Sequence, residues 1–477
     1  MIWIIIILAF AIRLVSINQS LWLDEGINVN VAVGVAFKDL VLSYSMGDFH
    51  PPLYHVVLRA WILLFGSSEI AVRIPSVIFG AGTVFIVYKI AKNFYEEKTA
   101  LIAATLLATS PLHIYYSQEA RMYMMAAFFS TLSVYFFISI LEKDTILKWL
   151  GFIASTTIML YTDYLPYLLL PAYFLYIVVN RSRIHASTIR AAIPSFLLIL
   201  VLLAPWLMLL PQQLSGGLGT AAASPAWAQV VGAGSFKNLA ITYVKFTIGR
   251  ISHDNNVIYA LLFAPAGAFV LFLLGISLFR LSPRRSILWY WLAVPILLGF
   301  AISFFIPVYS YFRVLFTLGA FYIILASAIN TVNWTPLVRT LLSLTLVINL
   351  VSATIYLGNP KFQRENWRGA VDYIGKNTTK QSVVLFESNF TTGPFDYYNT
   401  KNIEAHGALD DFNAKNPEVE SKVKTLTEGK NKVFLFQYLS QITDPQGLVF
   451  AALSHEGFIN TSIKDFDGVG FLYEFVK

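Results

Sequence analysis

The 477-residue chain contains no cysteine. That excludes disulfides, thiolate nucleophiles and thiolate-bound metals together. Charge is scarce too: Asp, Glu, Lys and Arg make up 13% of the residues, against about 25% in soluble domains. With 57% hydrophobic residues, the chain is not an ordinary soluble protein, and a polytopic membrane protein is expected. No Gly-rich phosphate loop precedes a helix, no Trp-Trp-Asp motif occurs, and no internal repeat is visible. Residues 1–17 lack a small-residue cleavage site and read as a retained first helix.

The net charge of +7 invites a nucleic-acid reading that its distribution excludes. Residues 1–357 hold 21 Lys+Arg against 12 Asp+Glu, whereas residues 358–477 hold 13 against 15. The basic excess therefore belongs to the apolar part, where membrane orientation accounts for it.

A spanning helix needs roughly 20 apolar residues. Eleven stretches qualify, near 1–18, 70–88, 99–116, 122–140, 148–162, 164–179, 191–210, 257–279, 287–306, 312–329 and 336–357. With the N-terminus cytoplasmic, twelve basic residues fall in inner loops, among them Lys89, Lys143, Arg183 and Arg284, as the positive-inside bias requires. Asp24, Glu25, Asp39, Asp48, Glu69, Glu119, Asp163 and Asp254 then all map to outer loops or outer helix ends, and none to mid-membrane. The expected architecture is a multi-pass cell-membrane protein with its chemistry on the extracytoplasmic side.

Two outer segments are long. Residues 19–69 mix apolar stretches with polar breaks, a pattern that suits helices lying in the interface, and residues 211–256 begin Gly/Ala/Ser-rich, as a mobile flap would. After residue 357 the composition changes. An amphipathic helix is expected over Asn366–Lys376, and strands over Ser382–Phe386, Lys432–Tyr438 and Gly468–Val476. This alternation predicts an extracytoplasmic α/β domain over 358–477.

Several clusters on the outer face carry potential chemistry. Asp24 and Glu25 follow the first helix beside Trp22. Charges at a membrane are costly unless hydrated, paired or useful, and adjacent side chains diverge, so one carboxylate can face a substrate while the other holds the loop. A hydrated loop with a cap is the plain alternative. His50-Pro51-Pro52 presents an imidazole from a stiffened turn, suited to a sugar hydroxyl, a phosphate or a metal; an ordinary interfacial histidine fits equally. Glu119, Arg121 and Tyr123 form a short outer turn. There an arginine among tyrosines is a good phosphate site, since guanidinium matches phosphate oxygens in bidentate fashion, whereas a Glu119–Arg121 surface pair is the plain reading. Asp163 and Arg313 lie at the same face, where capping or snorkelling would also explain them.

The order Leu21-Trp22-Leu23-Asp24-Glu25, then His50-Pro51-Pro52-Leu53-Tyr54, then Tyr115 to Tyr123 (YYSQEARMY) resembles glycosyltransferase family 39. That family includes the protein O-mannosyltransferases and, as close relatives, the aminoarabinose transferases of lipid A. Asn366 to Ile374 (NWRGAVDYI) is similar to the start of the outer domain in bacterial and archaeal members. The resemblance implies a GT-C membrane fold, a polyprenyl-phosphate sugar donor and a catalytic acid that maps onto Asp24, with Glu25 beside it. Two departures stand out. Thr162-Asp163-Tyr164 replaces the Thr-His-Tyr of many relatives, and Arg313 follows Ser-Tyr-Phe where relatives often show Arg-Tyr.

Outside the cytoplasm a lipid phosphate must bring the activated sugar. The phosphate leaves as a stable anion, needing cationic stabilisation from Arg121 and Arg313 but no acid, while the acceptor hydroxyl needs a base. Asp24 and Glu25 are thus the catalytic candidates, Arg121 and Arg313 the donor-phosphate ligands, and His50, Glu119, Tyr123 and Asp163 the substrate contacts. The expected partners are the lipid-linked donor, a glycan, lipid or protein acceptor, and membrane lipids. No cofactor is required; a divalent cation at His50 or His253-Asp254 is the open alternative. A transporter or flippase, and a scaffold with a receptor-like outer domain, are the rival classes. Transporters often carry midplane charges and inverted repeats, and neither is present.

Overall fold

The computed structural model describes residues 1–331, 335–410 and 416–477. Among the described residues five helices are long and apolar enough to cross a membrane: Glu69–Phe94, Tyr123–Glu142, Ala186–Leu207, Asn256–Phe279 and Thr335–Gly358. At about 1.5 Å per residue each spans a hydrocarbon core of about 30 Å. Six shorter apolar helices join them, including Ile2–Leu14, Ile146–Thr162, Ser286–Ile302 and Leu315–Asn330. Glu69–Phe94 and Tyr123–Glu142 lie inside the bundle, with 56% and 67% of their apolar windows buried, whereas Asn256–Phe279 has only 17% buried and presents its side chains outward.

Each of the eleven expected stretches contains a helix, with differences that have local causes. The stretch 99–116 is broken into Glu97–Ala108 and Pro111–Ser117. Pro111 has no N–H to continue the first helix but suits the first turn of the second, and Ser110 caps that turn by accepting from His113 N at 3.4 Å. The stretch 164–179 starts as a 3-10 turn over Leu165–Leu168. Within residues 19–69, helices form over Leu23–Gly34 and Leu53–Phe65. The Gly/Ala/Ser-rich start of the 211–256 segment, expected to belong to a mobile flap, is helical over Leu210–Ala223. Gln213 anchors it by donating to Ser45 O at 2.6 Å, and Gly217 leaves room for the Phe49 ring, so the small residues serve packing.

The C-terminal part carries a five-stranded sheet in the order β2-β1-β3-β5-β4. β1 (Ser382–Ser388) pairs in parallel with β2 (Ala405–Leu409) and β3 (Lys432–Gln437); β5 (Gly470–Val476) is antiparallel to β3 and to β4 (Ile459–Phe466). Every residue of β1 is buried, as expected for a strand covered on both faces. One face packs on the Trp367–Asn377 helix through Trp367, Ile374, Phe386 and Phe436; the other packs on the helices with Val419, Val423 and Leu453.

This sheet unit is seated on the segment that follows the first helix. Asn30 Nδ2 donates to Gly393 O at 2.8 Å, Leu21 N to Tyr398 Oη at 2.9 Å and Arg368 N to Ser20 Oγ at 3.0 Å. Between them the two backbones touch. A Cβ on Gly26 would lie 2.7 Å from Pro394 N, and one on Gly393 would lie 2.9 Å from Ile27 N.

Candidate active site

The Leu23–Gly34 helix starts from Trp22 in an extended conformation and carries Asp24 and Glu25 in its first turn. Successive helical side chains diverge by about 100°, and here the divergence separates two environments. Glu25 points inward and is fully buried. Its Oε1 accepts from Arg73 Nε at 2.9 Å and Ala120 N at 2.7 Å, and its Oε2 from Arg73 Nη2 at 2.5 Å and Trp22 N at 3.4 Å. Burial favours the neutral acid, but Arg73, Arg364 and the Ala120 N–H outweigh it and hold Glu25 below the ordinary glutamate range. Glu25, expected beside Asp24 as a catalytic candidate, therefore has both oxygens engaged in holding the loop.

Asp24 points the other way and keeps 32% of its side chain exposed, with Oδ2 at 3.4 Å from Arg121 Nη2. Burial of the surrounding loop pushes its carboxyl above the ordinary aspartate range, Asp48 adds to the rise, and Arg121, His50 and Arg313 oppose it. Two adjacent carboxylates thus have pKa values driven apart, the arrangement by which one fold separates roles.

Arg121 is almost fully buried and lies between two acids, its Nη1 being 3.6 Å from Asp48 Oδ1. Asp48 also receives His50 Nδ1, which donates to its carbonyl at 2.7 Å and to its Oδ2 at 3.1 Å. His55 Nε2 approaches the same oxygen at 3.3 Å. Burial alone would raise Asp48, yet Arg121, His50 and His55 hold it well below the usual carboxylate range. The turn that brings Asp48 and His50 together passes through Phe49 at φ 59°, a left-handed conformation that costs a bulky residue energy and recurs at functional sites. Pro52 then leads into the Leu53–Phe65 helix.

Tyr123 stacks the site from one side. Its ring lies 5.9 Å from the Arg121 guanidinium, 5.4 Å from Tyr116 and 5.2 Å from Phe312. Arg313, next to Phe312, is within electrostatic reach of Asp24. Arg121 Nε, Arg313 Nε and His50 Nε2 are all buried without a partner among the described residues. Unmet buried polar groups are rare, and here three of them belong to one cluster.

Two expected substrate contacts are elsewhere. Glu119 turns away from Arg121 and pairs with Arg364, Oε2 to Nη2 2.9 Å, with both side chains 2% exposed. Arg364 also donates to the Tyr115 hydroxyl and lies 3.8 Å over its ring, so Glu119 ties the Tyr115–Tyr123 segment to the C-terminal part. Asp163 follows the Ile146–Thr162 helix, and its Oδ1 accepts from Tyr164 N at 2.7 Å. It joins the Ser45–His50 turn through Tyr164 and Gln213. Of the alternative cation ligands, Asp254 pairs with Lys361 at 2.6 Å, and His253 Nδ1 accepts from Asn255 N. Among the described residues no group of three or more His, Cys, Asp or Glu side chains is arranged to hold a metal.

Asp48, His55, Arg73, Arg364 and Glu365 were not singled out as site residues by their sequence. Asp48 and His55 had a signal in the spacing Asp48-x-His50-x4-His55. Arg73, Arg364 and Glu365 had none, because their partners lie far along the chain.

Residues 49–209, from the His-Pro-Pro turn through Arg121 and Asp163, match the family described as dolichyl-phosphate-mannose-protein mannosyltransferase. The likeness to that family is carried by this segment. An Aquifex aeolicus (strain VF5) protein with no described function is 31% identical over 122 residues, covering 24% of this chain and 29% of that one. The YkcB protein of Bacillus subtilis (strain 168), described provisionally as a mannosyltransferase, is 22% identical over 196 residues, covering 39% of this chain and 27% of that one. The chain thus spans less than a third of the length of these curated relatives. The fold as a whole is similar to that of ArnT from Cupriavidus metallidurans, in its apo state (TM-score 0.58, 14% identity, 99% of this chain and 97% of that one) and bound to undecaprenyl phosphate (TM-score 0.57, 12% identity, with the same coverage). The fold is ArnT-like: a multi-pass membrane architecture with a C-terminal mixed sheet, in which residues 49–209 are similar to the mannosyltransferase family.

Proposed function

We propose that the chain is a polyprenyl-phosphate-sugar-dependent glycosyltransferase acting at the outer membrane face. In this reading residues 1–357 carry the catalytic machinery and residues 358–477 form an extracytoplasmic α/β domain. The observation that carries it is the Asp24–Arg121 pair: a partly open carboxylate of raised pKa beside a buried guanidinium with an unmet donor. The undecaprenyl phosphate bound to the similarly folded ArnT supports a lipid-phosphate donor, and the family match supports a mannose-like sugar, with aminoarabinose the other donor class.

The reaction is an in-line displacement. The acceptor hydroxyl oxygen bonds to the anomeric carbon as the bond from that carbon to the phosphate oxygen breaks. Asp24 takes the hydroxyl proton in the transition state. The electron pair leaves with the phosphate, and polyprenyl phosphate departs as an anion. Arg121 and Arg313 stabilise the charge that grows there, and the Tyr123–Phe312 wall lines the sugar side. A single displacement inverts the anomeric centre, unlike the double displacement of retaining hydrolases. Asp48 keeps Arg121 and His50 oriented, so that His50 Nε2 is free for a sugar hydroxyl or phosphate oxygen.

The direct test is incubation of the purified chain in detergent with polyprenyl-phosphate mannose or polyprenyl-phosphate aminoarabinose, following release of polyprenyl phosphate and the anomeric configuration of the product. Turnover of neither donor, or a retained configuration, removes this reading. Mass spectrometry of the lipids, glycans and proteins altered by gene deletion identifies the acceptor.

A further inference from the structure

One carboxylate near Asp24 comes from the far end of the chain. Glu365 precedes the Trp367–Asn377 helix, and Tyr438 follows β3 at the carboxyl end of the parallel strands. Both Glu365 oxygens accept from the Tyr438 hydroxyl, at 2.8 and 2.9 Å, and Oε2 also accepts from Trp367 Nε1 at 2.7 Å. The β4–β5 turn closes over the same side chain. Gly468 has φ +74°, and a Cβ there would lie 3.0 Å from Glu365 Cα and Cγ. Asn366 N donates to Asp467 O at 2.8 Å, fixing the segment against that turn.

The open side of this cradle faces the Leu23–Gly34 helix. Leu23 packs against the cluster that contains Trp367 and Tyr438, and Asp24 lies within electrostatic reach of Glu365. Leu23 is the first residue of that helix and Asp24 the second. The first helical N–H groups have no partner inside a helix, and a carboxylate near them is favoured by the dipole.

We propose that Glu365 is a positioning residue for Asp24, through which the C-terminal sheet fixes the first turn of the helix presenting the base and sets the charge beside it. The role of Asp24 as base rests on the transferase reading above; the fixing of the helix does not. Burial raises the Glu365 carboxyl to about 7, against the hydrogen bonds from Trp367 and Tyr438, and the Asp24 charge raises it further. The other groups facing the pair are Tyr438 at Glu365, and Arg121, Asp48, His50 and Arg313 at Asp24. As Glu365 ionises, the added negative charge makes Asp24 a stronger base, so kcat should climb as pH rises through about 7.

Two measurements on the full-length protein in detergent test this. The first is amide hydrogen exchange across residues 21–28 in wild type, Glu365→Ala and Tyr438→Phe. Exchange should be faster by ~10-fold or more in Glu365→Ala, with the other helices of the bundle unchanged. Unchanged exchange at 21–28 overturns the proposal whether or not transfer is detected. The second is the pH dependence of kcat with polyprenyl-phosphate mannose. Glu365→Gln should lower kcat by ~10-fold, leave the donor KM within a factor of about two, and abolish the rise near neutrality. Tyr438→Phe, which removes a donor, should shift that rise to higher pH. A merely structural Glu365 would lower the yield of folded protein and leave the profile intact, which overturns its electrostatic role. Faster exchange at 21–28 in a wild-type-like background that transfers no sugar would support the positioning and remove the transferase reading instead.

Discussion

Arg73 grips both oxygens of Glu25, at 2.9 and 2.5 Å, with 1% and 0% of the two side chains exposed. The guanidinium also donates to the carbonyls of Ile17, Gln19 and Ser20, so one arginine organises the whole chain exit from the first helix. Removing one partner of a buried pair leaves an uncompensated charge and costs about 3–5 kcal/mol. Arg73→Met should therefore lower the thermal unfolding temperature in detergent and the yield of monodisperse protein. Glu25→Gln, which keeps shape and one acceptor, should do so less. The depressed Glu25 pKa also gives a sign: its stabilisation is full above the unfolded-state glutamate pKa and is lost as pH falls through the lower folded value. The unfolding free energy of wild type should therefore fall more steeply with acid through that range than that of a Glu25→Gln, Arg73→Gln double variant that retains the fold.

Asp24→Asn is expected to leave the unfolding temperature and donor binding unchanged while reducing transfer by ~10²–10⁴-fold. Its raised pKa predicts that the wild-type rate falls with acid at a pH above the ordinary aspartate range, because the base must be ionised. Single-turnover rates across pH check both statements, and near-normal turnover by Asp24→Asn would remove the base assignment.

Arg121 and Arg313 should respond to lysine, since an ammonium keeps the charge but loses the planar fork. The loss should appear in kcat more than in donor affinity, because phosphate charge grows as the bond breaks. If both share the phosphate, the double variant will be non-additive. Steady-state kinetics of the two single variants and the pair decide it. Activity retained in all three would return Arg121 to a purely structural role between Asp24 and Asp48.

Glu119 and Arg364 connect the Tyr115–Tyr123 segment to the C-terminal part across a nearly dry contact. Truncation before residue 358 would expose or strand Glu119, Gly26 and Tyr115 together. Such a truncated chain should fail to accumulate as a folded monomer, judged by size-exclusion chromatography. Arg364→Lys should be far more damaging than Arg368→Lys, whose partner Glu69 is partly exposed.

Orientation can be read from thiol labelling in this cysteine-free chain. Ser215→Cys and Lys401→Cys should react with an impermeant reagent in intact cells, and Ser182→Cys and Lys143→Cys only after permeabilisation; all four positions are exposed. Ser20 is unsuitable as a labelling site, being 8% exposed and bonded to Arg368 N. Labelling of Ser182→Cys from outside would invert the topology.

The helices were legible because hydrophobic length is a direct physical requirement of a bilayer. The two missed strands had weaker signals: β2 is the short, small-residue Ala-His-Gly-Ala-Leu, and β4 is a largely exposed edge strand with Asn, Thr, Ser, Lys and Asp along it. At the site, local spacing pointed to Asp24, His50 and Arg121, which sit on short turns. The division of labour between Asp24 and Glu25, and the diversion of Glu119 to Arg364, depend on residues 48 and 245 positions away. Nothing in a single sequence signals such pairings, since a buried arginine looks like any other arginine until its partner is known.

The glycine-to-glycine seam between residues 26 and 393 has a mechanical consequence. The backbones of residues 26–27 and 393–394 meet with only the Ile27 side chain beside them, so the seam has little compliance, and a force on the C-terminal sheet is transmitted to the helix start that carries Asp24. An antibody or engineered binder that tilts the C-terminal sheet should then displace Asp24 without touching it.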